Sequence, residues 1–377
     1  MFSAVLFGQF ETPTTGWPCK RWAVCHMLAP PKSSQNMEGI FDMAKAGKIK
    51  WGLIGASNIA KQWLCASINK HPDCEVVSVY SRNEGRAVAF AKELGLQRQF
   101  TSLTEFLADP GIDAVYISTT NEKHHDEAIA AAKAGKHILC EKPLAMSVED
   151  ARAMVAAADE AGVVFATNHH LRNMETHRAI KNIITSGQLG QITSARIAFT
   201  VDLPDDLARW RLNDPAAGAG VILDLTVHNM DLLRFYFDAN PVAVTAMGVT
   251  SGAAPQGIKD NVMTVWEFPG RLLVSCQDSF LVPFGGTAVD VHGTLGSVHG
   301  DNVLWQKPQG KVMLRDKAGL REIDVEHRVP YDRTIVDFVN AIRGSGTPSV
   351  SGEDGVQSLR LAIGAMRSIE TGQTVKL

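Results

Sequence analysis

The chain has 377 residues, 45% apolar and 20% charged, enough length and apolar content for two domains with cores of their own. A formal net charge of -3 offers no broad basic field, which argues against nucleic acid or an anionic membrane surface as partner and points to a small molecule. No apolar run approaches the roughly 18 residues of a membrane helix, Met1–Phe10 lacks the basic start of a signal peptide, and the six cysteines show neither zinc spacing nor disulfide density, so the expected location is cytoplasmic.

Residues 1–47 mix Pro13, Pro18, Pro30 and Pro31 with unperiodic apolar residues. They read as a disordered extension, or else Met37 or Met43 is the biological start. From Lys48 the pattern becomes regular. Strands are expected at Ile49–Ile54, Val76–Tyr80, Ala114–Ser118, His137–Cys140 and Val163–Thr167, with helices at Ile59–Lys70, Arg86–Leu94, His124–Ala134 and Val148–Ala161. That alternation predicts a parallel sheet with helices on both faces. After Asn168 the strands lengthen and alternate, as at Ser194–Val201, Val242–Val249, Met263–Phe268 and Leu272–Phe280 among others, and closing helices are expected at Tyr331–Arg343 and Val356–Thr371. The predicted fold class is therefore α/β. An N-terminal Rossmann domain, a doubly wound parallel sheet, spans 48–168, and a C-terminal α+β domain on a mostly antiparallel open sheet spans 169–377.

The first strand runs into Gly55-Ala56-Ser57-Asn58-Ile59-Ala60. This is where a dinucleotide fold seats a pyrophosphate on backbone N–H groups at a helix start. Only the first glycine of the usual fingerprint is kept, and a tight turn without a ligand would read the same. The second strand ends in Ser81-Arg82-Asn83-Glu84-Gly85-Arg86, with no carboxylate at its tip. A hydroxyl and two guanidinium groups suit the 2′-phosphate of NADP(H), the alternative being solvated surface charges.

Cys140-Glu141-Lys142-Pro143 places Lys142 at the carboxyl end of a parallel strand, where it can polarise a carbonyl oxygen. Asp224 and His228, four residues apart on a helix face, suit an imidazole proton donor held by a carboxylate; a buried pair bracing the domain interface fits equally well. The doublets His124-His125 and His169-His170 are not read as metal ligands, because adjacent side chains diverge and no further ligands gather. His124 is expected to open a helix beside the cofactor, and His170 to line the substrate pocket.

Together, Glu141-Lys142-Pro143 and the Asp224/His228 pair resemble the glucose–fructose oxidoreductase, inositol dehydrogenase and rhizopine catabolism (Gfo/Idh/MocA) family, over essentially all of Lys48–Leu377. The resemblance implies NADPH-dependent reduction of a sugar ketone, that of 1,5-anhydro-D-fructose, with a related dehydrogenase of an inositol, a pyranose or a dihydrodiol as the alternative. A non-catalytic NADP-binding sensor is the third reading. It further implies cofactor contacts from Gly55, Ala56, Ser57, Asn58 and Ile59, from Ser81, Arg82 and Arg86, and from Thr119, Thr120, Asn121, Glu122 and His124. Glu141, Lys142, Asn168, Trp210, Arg211 and Tyr331 complete that surround. Lys142, Asp224 and His228 form the implied catalytic group, with Asp224 holding the imidazole, and His170, Asp224 and His228 touch substrate. The implied state is a monomer or homodimer.

Overall fold

The structure, a computed structural model, describes residues 47–377 apart from Ala253 and Gln256, and the side chains of Asp205, Asp206 and Arg209 are not described. The extension expected at the start of the chain lies outside the described residues, except for Gly47. Six parallel strands, β1 Ile49–Ile54, β2 Cys74–Tyr80, β3 Arg98–Phe100, β4 Ala114–Ile117, β5 His137–Cys140 and β6 Phe165–Thr167, stand in the order β3-β2-β1-β4-β5-β6. Their carboxyl ends are level: Ile54 pairs with Tyr80 and Ile117, Ile117 with Cys140, and Cys140 with Thr167. The order reverses between β1 and β4, the position at which an open parallel sheet leaves a ligand crevice.

Helices α1 Cys65–Lys70, α2 Glu84–Leu94, α3 Leu103–Ala108, α4 His124–Lys133 and α5 Val148–Ala161 cover this sheet. Almost every residue of β1 is buried, because both faces are covered. Three expected elements differ from the structure. The helix expected at Ile59–Lys70 opens with a π-helical turn, Ala60–Leu64, and becomes α-helical only from Cys65. The strand expected at Val163–Thr167 is reduced to Phe165–Thr167. Between α2 and β4 the structure adds β3 and α3, too short for their periodicity to stand out in the sequence.

The second sheet comprises β7 Ile192–Thr200, β8 Ala243–Val249, β9 Asn261–Phe268, β10 Leu272–Ser279, β11 Thr287–Gly293, β12 Gly296–Asp301, β13 Lys311–Asp316, β14 Gly319–Ile323 and β15 Val375–Lys376, in the order β14-β13-β12-β11-β7-β10-β9-β8-β15. β7 and β10 run parallel and the other neighbours antiparallel, so the sheet is mixed but mostly antiparallel. Buried and exposed residues alternate along β9 and β10, the mark of a sheet with one face on a core. Helices α6 Glu175–Thr185, α7 Asp205–Asn213, α8 Val227–Phe237, α9 Pro330–Ile342 and α10 Gly352–Thr371 complete the chain, and α8 is preceded by a second π-helical turn, Ile222–Thr226. Helix α9 returns to the first sheet, where Phe338 meets Trp51 at 5.1 Å between ring centroids. Helix α10 packs against α5, β6, α8 and β8 and so ties the two sheets together. No helix among the described residues is long and apolar enough to cross a membrane.

Candidate active site

Gly55 ends β1 with φ +106°, and a Cβ there would lie 3.1 Å from the carbonyl carbon and oxygen of Ser118. Both the dihedral and the space therefore call for glycine. Ser57 caps the helix start: its Oγ accepts from the N–H of Ala60 at 3.1 Å and lies 2.7 Å from Ser118 Oγ. The backbone is thus free to come close to a ligand at Gly55, while the later turn is held by side chains.

A cavity of about 420 Å³ opens beside this turn, lined by Gly55, Ala56, Ser57, Ser81, Arg82, Arg86, Thr119, Thr120 and Trp210. Asn83 Oδ1 accepts from the Arg86 N–H at 2.8 Å, which starts α2 and carries Arg86 to the cavity rim. Glu127, which the sequence reading did not single out, also lines it. It is buried and accepts from Thr119 Oγ1 at 2.5 Å, and burial pushes its carboxyl up to about 7 against the pull of Thr119, Lys123 and Arg82. The glycine cradle and the capped helix start fit the pyrophosphate of a nicotinamide dinucleotide, and two arginines stand at the β2 tip.

Through Ala56, Ser57, Ser118, Thr119 and Trp210 this cavity continues into a cleft of about 1070 Å³. Asn58, Ile59, Asn121, Glu141, Lys142, His170, Arg211, Asp224, His228 and Tyr331 all line the cleft. Lys142 Nζ donates to the Asp224 carboxylate at 2.7 Å and to the Asp224 carbonyl at 3.0 Å, and Arg211 Nε donates to the other carboxylate oxygen at 3.1 Å. Burial alone would raise the Asp224 carboxyl, but the two cations bring it down to about 2.

The expected hold of Asp224 on His228 is therefore corrected. Asp224 stands in a π-helical turn, Ile222–Thr226, closed by the Val227 N–H on the Ile222 carbonyl, and its carboxylate goes to two cations, Lys142 and Arg211, rather than to the imidazole. His228 Nδ1 instead lies 3.4 Å from Nδ1 of His169, a residue read only as half of a doublet. Burial, with Lys142 and the two neighbouring imidazoles adding to it, holds His228 well below the usual histidine range. His170 stacks on Tyr331 at 5.3 Å and is pushed down to about 3 by burial and Lys142; its Nε2 is buried without a partner.

Three expected cofactor residues line neither cavity. His124 is wholly buried, with Nδ1 3.0 Å from the Pro143 carbonyl and Nε2 3.3 Å from that of Thr119, and it braces the two loops. Asn168 donates to Glu141 Oε1 at 2.6 Å, beside the Tyr116 hydroxyl at 2.5 Å, and so anchors Glu141 from behind. Glu122 is exposed and pairs with Lys123 at 3.2 Å. Conversely, Trp63, Phe199, Trp305, Gln306 and Lys307 line the cleft, and no spacing in the sequence marks them.

Residues 49–169 match a family described as "Oxidoreductase family, NAD-binding Rossmann fold", and residues 177–299 match the GFO/IDH/MocA C-terminal domain. The chain is 45% identical to a 1,5-anhydro-D-fructose reductase of Ensifer adhaerens, over 87% of this chain and 98% of that protein. It is 27% identical to a myo-inositol 2-dehydrogenase of Thermotoga maritima, over 81% and 92%. Among solved structures, the aldose-aldose oxidoreductase of Caulobacter crescentus superposes with a TM-score of 0.81 at 22% identity, covering 88% of this chain and all of that one. A levoglucosan dehydrogenase in complex with NADH and levoglucosan gives 0.77 at 25%, covering 87% and 99%.

Proposed function

Since the chain belongs to the Gfo/Idh/MocA oxidoreductase family, we propose that it is an NADPH-dependent reductase of a sugar ketone, converting 1,5-anhydro-D-fructose to 1,5-anhydro-D-mannitol. The observation that carries this reading is the meeting of Lys142 and His228 in one cleft that continues into the dinucleotide turn. The substrate rests on the 45% identity to the Ensifer adhaerens reductase. In this proposal residues 48–168 provide the cofactor side and 169–377 the substrate side.

Gly55, Ala56, Ser57, Asn58 and Ile59 would hold the pyrophosphate, and Ser81, Arg82 and Arg86 the 2′-phosphate. Such a cofactor, when bound, supplies a hydride to the carbonyl carbon. An ammonium has three N–H donors, and Lys142 spends two on Asp224. The third remains for the substrate oxygen, where a fixed cation stabilises the alkoxide as it forms. His228 provides the proton, and the unpaired Nε2 of His170 takes a substrate hydroxyl.

Initial rates of NADPH oxidation over a panel of keto-sugars, with 1,5-anhydro-D-fructose first and NADH run alongside, test the proposal. The expected result is turnover of that sugar with NADPH well ahead of NADH. Equal rates with NADH, the cofactor in the levoglucosan dehydrogenase complex, would defeat the 2′-phosphate reading. Turnover only of an inositol or dihydrodiol, in the oxidative direction, would favour the activities named for relatives at 27–29% identity. Lys142→Met is expected to lower turnover about 10²- to 10³-fold while NADPH still binds in a fluorescence titration; unchanged turnover removes Lys142 from the chemistry.

A further inference from the structure

His228 Nδ1 needs a partner, and the carboxylates on the surrounding elements are bound elsewhere: Asp278 on β10 accepts from Thr226 and Asn229, each at 2.6 Å, and the other three face cations. Asp224 holds Lys142 and Arg211, Asp231 holds Arg172 at 2.7 Å, and Asp354 on α10 holds Arg172 at 3.1 Å and Arg234 at 2.8 Å. The other neighbours are His170, whose ring stands edge-on at 5.2 Å, and Phe199 of β7 at 6.2 Å. That leaves His169 as the hydrogen-bond partner, at 3.4 Å between the two Nδ1 atoms.

The direction of this bond follows from the far end of the chain of contacts. Ser358 Oγ on α10 has one proton to give, and the Gly355 carbonyl 3.0 Å away can take it, which turns an oxygen lone pair towards His169 Nε2 at 2.9 Å. In that arrangement His169 carries its proton on Nε2, and its Nδ1 is a bare lone pair. Burial holds the imidazole of His169 well below the usual range, which keeps it neutral. The proton between the two Nδ1 atoms then belongs to His228.

We infer that His169 and Ser358 are positioning residues that set the tautomer of His228, placing its proton on Nδ1 and leaving Nε2 as a bare lone pair on the cleft. The inference rests on the reading of His228 as the group that exchanges a proton with substrate, and it divides the two directions of reaction. With Nε2 bare, neutral His228 accepts a proton from an alcohol at once. To donate one to an alkoxide it must first take up a proton at Nε2, and giving that proton away returns the arrangement seen here. Lys142, His169 and His170 all oppose the charged form. Ketone reduction should accordingly fall as pH rises through the neutral range, while alcohol oxidation holds.

Nitrogen-15 NMR of histidine-labelled protein without ligands reads the tautomer directly, with the His228 and His169 signals assigned from His228→Asn and His169→Asn. The expected spectrum has His228 protonated at Nδ1 and bare at Nε2; a proton on Nε2 in the neutral form overturns the inference. Kinetics provide the second arm. His169→Leu removes the acceptor and is expected to lower kcat roughly tenfold or more, with little change in the KM for sugar and a displaced pH profile. His169→Asn, whose Oδ1 can stand where Nδ1 stood, is expected to recover most of that loss. Identical behaviour of the Leu and Asn variants, or an unmoved pH profile, overturns the inference. If His169→Leu fails to fold, the spectrum of the unsubstituted protein decides. A His228→Asn variant that keeps full turnover would sink the proposed function instead, so the two failures are distinguishable.

Discussion

Asp224 and Glu127 are both largely removed from solvent, yet they end at opposite extremes. Two cations bring Asp224 down to about 2, whereas nothing stronger than a hydroxyl and distant charges offsets burial at Glu127, which rises to about 7. A carboxyl whose folded pKa exceeds its unfolded value binds its proton more tightly in the native state, so stability is lost as pH climbs from the ordinary range near 4.5 through 7. Between those limits the loss is on the order of 3 kcal/mol at most. Glu127→Gln keeps an acceptor for Thr119 and removes the titration. Urea midpoints at pH 6 and pH 8.5 should therefore converge in the variant, and an unchanged gap would deny the burial account. Residue chemistry at the strand tips was legible: Gly55, Arg82 and Lys142 stand where chain order and turn grammar predict. The partner of Asp224 was not, because helix spacing knows nothing of a lysine 82 positions earlier.

Among the elements, the two π-helical turns show where periodicity misleads. Both lie along the cleft, one after the Gly55 turn and one carrying Asp224, and both read as plain helix in the sequence because a single wider turn leaves the apolar pattern almost intact. Helix α10 depends on small residues where it meets the first sheet. A Cβ on Gly355 would lie 2.2 Å from Thr167 Oγ1 and 3.0 Å from its Cβ, and the hydroxyl is already bound to the Ser351 carbonyl at 3.2 Å. Alanine would add about 1 kcal/mol of helix propensity, and the overpacking costs about 1–3 kcal/mol. Gly355→Ala is thus expected to lower the melting temperature by a few degrees; a rise would mean that α10 has room against β6. The four strands β11 to β14 stand out less in the sequence for a related reason. Glycines at 293, 296 and 300 fall in β11 and β12, and β14 is mostly exposed, so pairing with β7 and with one another defines these strands.

For the whole molecule, charged seams link the parts that close the cleft. Lys142, after β5, meets Asp224 before α8, and Asp354 on α10 meets Arg172 and Arg234. Burial would raise both carboxyls, but their cations hold both below the ordinary range, to about 2 for Asp224. Their folded pKa lies below the unfolded one. The stability they contribute is fully present above about pH 4 and is lost as pH falls towards 2, at roughly 2 kcal/mol for Asp224. Melting temperature followed from pH 5 to pH 2 should fall steeply below 4, and Asp224→Asn should flatten part of that slope; an equally steep variant would place the acid sensitivity elsewhere. By itself the sequence determined what depends on near neighbours: strand and helix alternation, the glycine turn, the cationic strand tip and the lysine before Pro143. Those signals survive in one dimension because backbone geometry and periodicity act over a few residues. The tertiary structure decided which groups meet. Asp224 takes Lys142 rather than His228, and His169 reaches Ser358 from 189 positions away, because side-chain pairing inside a cleft follows from how the two sheets and α10 pack, and spacing along the chain carries no record of that.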